Sequence, residues 1–280
     1  MSTKTTAPAG RRWLLYVGIA IIVLYCLIPF YWMVVSALRR PNDQGDNTLF
    51  PSPLTLQNFV AVFEPSVGFT RSLLNSLVVA GSTTLLTLMI GTFAAYTLAR
   101  LNFRGKNMVA AIIIATSMFP GVSLIVPLLK LFVEIGWLSS YQAMILPSLS
   151  FALPLAVWTL ATFFRQMPKE LEEAAMVDGL TRGQAFRKVI LPLAAPGMFT
   201  TAILVFITAW NEYIIAVTMV RDNDMKTAPV LISQFTGISG FDSPFGTKMA
   251  AGVIVTVPLV IVVLIFQRRI VAGLTAGGVK

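Results

Sequence analysis

Lys169-Glu170-Leu171-Glu172-Glu173-Ala174-Ala175-Met176-Val177-Asp178-Gly179-Leu180-Thr181-Arg182-Gly183-Gln184-Ala185-Phe186-Arg187-Lys188-Val189-Ile190-Leu191-Pro192 is a hydrophilic island in an apolar chain. Its first half has strong helix propensity. Pro168 suits a helix start, and Glu170, Glu172 and Glu173 lie where the helix dipole favours anions. Asp178-Gly179 then breaks the helix, glycine being free to take positive φ. Thr181 is placed to cap a second helix from Gly183 to Ile190, which Leu191-Pro192 closes. Leu171, Ala174 and Ala175 make a narrow apolar stripe on the first helix. Ala185, Phe186, Val189 and Ile190 share one side of the second. Small residues at 174, 175 and 179 let another backbone come close. Two readings stay open on these residues: a helix made to dock in a partner's groove, or an amphipathic hairpin lying on a membrane.

Outward from this island the chain is oil. It is 56% hydrophobic and 12% charged, with a mean hydropathy of +0.79; soluble domains carry about 25% charged residues. A membrane helix needs roughly 20 apolar residues. Six runs qualify: Trp13–Leu38, Ser72–Ala99, Met108–Leu131, Tyr141–Phe164, Met198–Val220 and Lys248–Phe266. An all-α integral membrane protein with six transmembrane helices is predicted, its membrane domain covering 13–267 between tails 1–12 and 268–280. The first run follows Lys4, Arg11 and Arg12 as a signal peptide would. It continues through Pro29, Phe30 and Trp32 with no small-residue cleavage site, so it reads as a retained helix. Pro120, Pro127, Pro147 and Pro154 are predicted to break the third and fourth spans. Within the polar loop 39–71, Thr55–Phe63 is predicted to form a short amphipathic helix, with Thr55 as N-cap and Gln57 and Asn58 facing water.

Charge sets the orientation. Of the 21 Lys and Arg, 14 fall on the side of both termini and of the loop 166–197, which places these in the cytoplasm. Loops 39–71 and 221–247 are then external. The net charge of +9 is spread over span ends rather than gathered in a patch, so no nucleic-acid partner is expected. Histidine is absent, Cys26 is the single cysteine, and GxxxxGK[ST] does not occur. The commonest general base, the commonest zinc ligand and the phosphate cradle of an ATPase are thereby missing. No catalytic residue, metal site or bound cofactor is expected in this chain, which reads as a non-enzyme.

Polar residues inside the spans are few. A carboxylate at such a depth costs about 3 kcal/mol and usually faces a cavity or a partner. Glu212 is such a group, in Trp210-Asn211-Glu212-Tyr213, which sets aromatic rings beside hydrogen-bonding groups. With Asn75 these residues are the candidates for a solute pathway. Ser and Thr in the spans are expected to bond their own backbone. An ion-coupled carrier would show repeated halves and paired ionisable groups; neither is present in the sequence.

Glu173-Ala174-Ala175, three residues, Gly179, nine residues, Val189, one residue and Leu191-Pro192 resemble the EAA loop of ABC-importer permeases, with valine where that pattern has isoleucine. Asp178-Gly179, Gln184-Ala185-Phe186-Arg187 and Met118-Phe119-Pro120 are similar to the carbohydrate branch. The end of the chain, Val271 to Lys280, resembles maltose-importer permeases that lack the large periplasmic insertion.

The resemblance implies a type I ABC importer permease fold in a bacterial or archaeal inner membrane. It implies a cytoplasmic coupling helix that carries ATP-driven motion into the spans. Glu173, Ala174, Ala175 and Gly179 would be the coupling residues, and Leu191 and Pro192 would fix the return to the fifth span. Thr275, Gly277 and Gly278 in the tail would reach the ATPase. The partners implied are two ATPase subunits holding ATP and Mg, a second permease subunit in a heterodimer, and an extracytoplasmic binding protein that delivers a sugar of the maltose or oligosaccharide kind. A permease for another solute, such as a glycerol phosphate or a polyamine, shares the same loop.

Overall fold

The computed structural model describes residues 9–46, 48–235 and 244–276, and every regular element among them is helical. Four helices are long and apolar enough to cross a membrane, or six when each of two sharply bent pairs counts as one span. The described chain falls into two compact units, Met1–Val67 with Phe235–Thr256, and Gly68–Gln234 with Val257–Lys280.

The first unit contains α1 (Ala9–Ala37), α2 (Gln57–Val62) and the opening turns of the last helix, Phe245–Ala276. Apolar side chains surround α1, and most of its span Trp13–Ala37 is exposed, as befits a helix whose solvent is lipid; only Val35, Ser36 and Ala37 at its end are buried. The difficulty lies at its C-terminal end, where the last carbonyls have no helical partner. Asn58 resolves it: its Nδ2 donates to Ala37 O at 2.9 Å and to Arg39 O at 2.7 Å. The expectation that Asn58 faces water is therefore corrected; it is 3% exposed. The expected cap is corrected as well: α2 begins at Gln57 with Leu56 as its N-cap, and Thr55 stands one residue earlier, its Oγ1 accepting from Gln57 N at 3.2 Å. The Arg39 guanidinium lies 5.0 Å from the Trp32 ring, a cation–π pair, and also donates to Thr48 O.

The second unit begins with α3 (Phe69–Arg100), α4 (Lys106–Ser117), α5 (Val122–Glu134) and α6 (Tyr141–Gln166). It continues with α7 (Glu170–Val177), α8 (Arg182–Ala185), α9 (Leu191–Leu193), α10 (Ala195–Trp210), α11 (Ile214–Met219) and α12 (Ala228–Ser233). The last helix, α13, closes the chain. At the heart of this unit α3 and α6 run parallel: Val79 shares a cluster with Met144, and a Cβ on Gly91 would stand 3.5 Å from that of Ala156. Their ends are tied where Arg100 Nη2 donates to Met167 O at 2.8 Å. The helix α10 returns alongside, and Gly197 lets it approach α6: a Cβ there would meet the Phe163 ring at 2.5 Å. Small residues are how membrane helices come close enough to gain dispersion energy.

Helix lies at all six expected spans, but two are interrupted. Between α4 and α5 the chain turns by 91°. Pro120 lacks an N–H and pushes Phe119 out of the helical region. The other expected breaks do not occur: Pro127 lies inside α5, and Pro147 and Pro154 lie inside an unbroken α6. The fifth span stops at Trp210 and restarts at Ile214. Glu212 occupies that break, and its carboxylate accepts from the backbone N–H of Ile215 at 2.8 Å and of Ala216 at 3.1 Å. Ser and Thr behave as expected at several positions. Thr84, Ser148 and Ser150 each donate to the carbonyl four residues back.

Candidate functional site: the 166–197 loop

The island forms two short helical arms at one end of the second unit. The first arm, α7, ends as the sequence demands. Gly179 takes φ +87°, Leu180 N donates to Ala175 O at 3.1 Å and Gly179 N to Met176 O at 3.1 Å. These two bonds close a Schellman motif. A Cβ on Gly179 would meet nothing within 4 Å, so glycine is required there by conformation and not by local crowding. The second arm opens with a capping box. Gln184 N donates to Thr181 Oγ1 at 3.4 Å, and Thr181 N donates to Gln184 Oε1 at 2.8 Å. The arm then passes through a π-helical turn, Phe186–Ile190, into α9. The sequence predicts its end at Leu191-Pro192. The helical backbone instead runs on to Leu193 and bends by 69° into α10. A proline early in α9 is harmless, since its missing N–H is not needed there.

The second arm is embedded. Phe186 and Ile190 are buried in one cluster with Tyr96 and Leu98 of α3 and with Leu160 and Phe164 of α6. The rings of Tyr96 and Phe186 lie 4.4 Å apart, and Phe93 and Phe186 5.7 Å apart. Val189, at the position of the pattern's isoleucine, is half-buried, as is Leu191, while Pro192 is exposed. Ile190 is the residue that fills the core.

The first arm faces outward. Glu173, Ala174 and Gly179 are exposed, and Ala175 is buried. The apolar stripe expected from Leu171, Ala174 and Ala175 is thus divided: Ala175 turns inward, while Leu171 and Ala174 turn out. The inward partner of Ala175 is Glu172, 8% exposed. The Tyr96 hydroxyl donates to Glu172 Oε1 at 2.6 Å, and Arg182 Nε lies 3.8 Å from the same oxygen. Sequence reasoning set Glu172 among three equivalent glutamates and missed it, because its partner on α3 is 76 positions away. It also passed over Val177, which is 87% exposed at the outward end of α7.

The pathway candidates are not all together. Asn75 is fully buried, donating to Asp224 O at 2.8 Å and Lys226 O at 3.0 Å and accepting from the Tyr141 hydroxyl at 2.7 Å. Its amide nitrogen therefore pins the 222–226 turn, while its oxygen is held by Tyr141 of α6. Trp210 is 4% exposed and stacked on Phe206, with its indole turned into the protein rather than offered as a platform. Asn211 is exposed and donates to Ile207 O at 2.8 Å; Tyr213 is exposed. Glu212 lines a cavity of about 230 Å³ with Ser148, Thr208, Phe151 and Ile215. Of the tail candidates, the backbone of Thr275 lies in α13, while Gly277 and Gly278 lie outside the described residues.

The loop thus sets an exposed helix beside an embedded arm, in a chain whose similarity to known proteins is extensive. Residues 87–275 match the model of the family described as the binding-protein-dependent transport system inner membrane component. The trehalose transport system permease of Mycobacterium tuberculosis is 45% identical over 260 residues, covering 93% of this chain and 94% of that protein. The trehalose/maltose transport system permease of Thermococcus litoralis is 42% identical over 276 residues, covering 96% and 97%. A solved chain from a bacterial ABC transporter involved in importing the acidic polysaccharide alginate aligns with a TM-score of 0.77 at 20% identity, covering 95% of this chain and 99% of that one. The shared fold is that of the type I ABC importer permeases.

Proposed function

Because the chain belongs to the family of binding-protein-dependent transport system inner membrane components, a family of transport components rather than enzymes, we propose that it is the membrane permease of a disaccharide or oligosaccharide importer. The solute class is supported by the relatives, which are permeases for trehalose and for trehalose/maltose. Sugar reaches the permease from an extracytoplasmic binding protein. A second permease subunit completes the pathway, and two separate ATPase subunits hold ATP and Mg.

The observation that carries this reading is the two-sided loop. Glu173, Ala174 and Val177 face out on α7, while Phe186 and Ile190 root the adjoining arm in α3 and α6. The outward face is short and small enough to seat in a cleft of an ATPase subunit. Closure of the ATPase on ATP then moves α7, and the rooted arm passes that motion to the spans. Gly179 sets the turn and Leu191-Pro192 leads into α10. The charge bias supports a cytoplasmic place for this loop and both termini, and Thr275, Gly277 and Gly278 serve the contact with the ATPase pair. Glu212, Asn211 and Tyr213 lie at a helix break in the membrane, where irregular backbone lines a cavity in transporters, and they face the sugar's path.

The test is reconstitution in liposomes with the second permease, the ATPase and the binding protein. ATP hydrolysis is measured with the binding protein empty and loaded with a trehalose- or maltose-type sugar. Loaded binding protein is expected to stimulate hydrolysis and to drive sugar inward. Uptake driven by an ion gradient without ATP would overturn the reading.

A further inference from the structure

The Tyr96–Glu172 hydrogen bond and the Asn75 clamp lie at opposite ends of one helix. Tyr96 is near the C-terminal end of α3 and bonds the loop helix α7 through Glu172 at 2.6 Å. Asn75 is near the N-terminal end of α3 and bonds the backbone of Asp224 and Lys226 at 2.8 and 3.0 Å. Nearby, Ser76 Oγ accepts from Ala228 N at 2.9 Å. Between them α3 is one unbroken helix, whereas the third span turns by 91° and the fifth is interrupted. At a rise of 1.5 Å per residue, the stretch from Asn75 to Tyr96 covers about 32 Å, roughly the thickness of the bilayer's hydrocarbon core.

We propose that α3 is the strut that carries motion of the coupling helix across the membrane to the 222–226 turn, with Glu172 as the positioning residue that fastens α7 to it and Asn75 as the fastening at the far end. The proposal rests on the coupling-loop reading above and adds to it which span is driven and by which bond. Glu172 touches neither solute nor nucleotide. It acts through Tyr96.

The physical case is one of stiffness. Against the bundle, α7 buries only Ala175 and Glu172. A single methyl group can slide. A short hydrogen bond from a phenol to a carboxylate holds direction as well as distance. Arg182 at 3.8 Å from the same carboxylate ties the start of the second arm to the same point. A buried carboxylate is costly unless paired, so an apolar side chain here would serve stability as well. What the carboxylate adds is a fixed register between α7 and α3. Coupling between distant sites can be carried by such a contiguous chain of stiff contacts. Polar bonds at both ends of one straight helix supply it.

The test uses the complete reconstituted complex and reads the ratio of ATP hydrolysis with sugar-loaded binding protein to hydrolysis without it. Tyr96→Phe and Glu172→Ala each remove the inner fastening, and Asn75→Ala removes the outer one. Each is expected to lower the ratio about fivefold or more, the usual lower range of an allosteric coupling, with complex yield unchanged. Glu172→Gln keeps an acceptor for the phenol and is expected to retain most of the stimulation. A merely structural role would instead lower yield or melting temperature and leave the ratio of the surviving complex intact. Unchanged stimulation in both Glu172→Ala and Asn75→Ala overturns the proposal, even if Tyr96→Phe fails to assemble. Gly179→Ala serves as the reference: if it abolishes stimulation while the strut variants do not, only the strut fails. If none of them has an effect, the coupling-loop reading fails with it.

Discussion

The rings of Tyr96 and Phe186 meet at a centroid distance of 4.4 Å, joining the second arm of the loop to α3. Phe186 also meets Phe164 of α6 at 6.4 Å. Truncating a buried phenylalanine to alanine typically costs about 3–5 kcal/mol. Phe186→Ala is therefore expected to lower the melting temperature of the purified complex and, by loosening the arm, to speed tryptic cleavage at the already exposed Arg187 and Lys188. Fluorimetry and a cleavage time course check both.

Gly179 sits at φ +87° with open space around it. Alanine there costs about 1–2 kcal/mol of backbone strain, without a clash inside the chain. Asparagine tolerates that conformation better. The expected order of stimulated hydrolysis is glycine, then asparagine, then alanine. A bulkier residue is expected to do worse than its strain alone implies, because its side chain would stand in the seat of the partner. Equal activity of Gly179→Val would contradict this.

Asn58 supplies two buried donors to the end of α1. Loss of a buried partner costs about 1–3 kcal/mol. Asn58→Ala is expected to reduce the level of folded protein in the membrane, and Asn58→Asp to reduce it further, since the nitrogen that donates to both Ala37 O and Arg39 O becomes an oxygen that repels them. Detergent-soluble yield by size-exclusion chromatography reads the difference.

Gly197 faces the Phe163 ring at a distance that leaves no room for a methyl group. Gly197→Ala is expected to push α10 off α6 and to lower thermal stability by about 1–3 kcal/mol, as overpacking does. Phe163→Ala in the same chain is expected to relieve the clash, and a double-mutant cycle on melting temperature measures the relief.

Much of this architecture was legible in the sequence. The six apolar runs, the break at Gly179 and the cap at Thr181 follow from local chemistry, and local chemistry prevailed. Most of the failures share one cause. Pro147 and Pro154 carry the same signal as Pro120, but the packing of α6 against α3 and α10 holds that helix together through them. Asn58 has the polarity of a surface residue, and only the orphan carbonyls of α1, some 20 positions upstream, draw it inside. Glu172 and Glu173 are neighbours of identical type, and the phenol of Tyr96 distinguishes them. A mid-span aromatic, Trp210, reads as a platform until its ring is found stacked on Phe206. The first three cases depend on contacts between distant positions, which periodicity and propensity do not encode; Phe206 lies one helical turn from Trp210, within the range of a local reading.

The central claim is that the outward face of α7 sits in a separate ATPase subunit, and proximity tests it most directly. Cysteine is placed at Val177, which is 87% exposed, in a chain carrying Cys26→Ser, and the complex is treated with a short thiol cross-linker against single cysteines on the ATPase. The account predicts a covalent permease–ATPase product from Val177→Cys whose yield changes when ATP is added, and none from Ala175→Cys, whose side chain faces inward. Cross-linking from Ala175→Cys but not from Val177→Cys, or no product at all from an assembled and active complex, would contradict it.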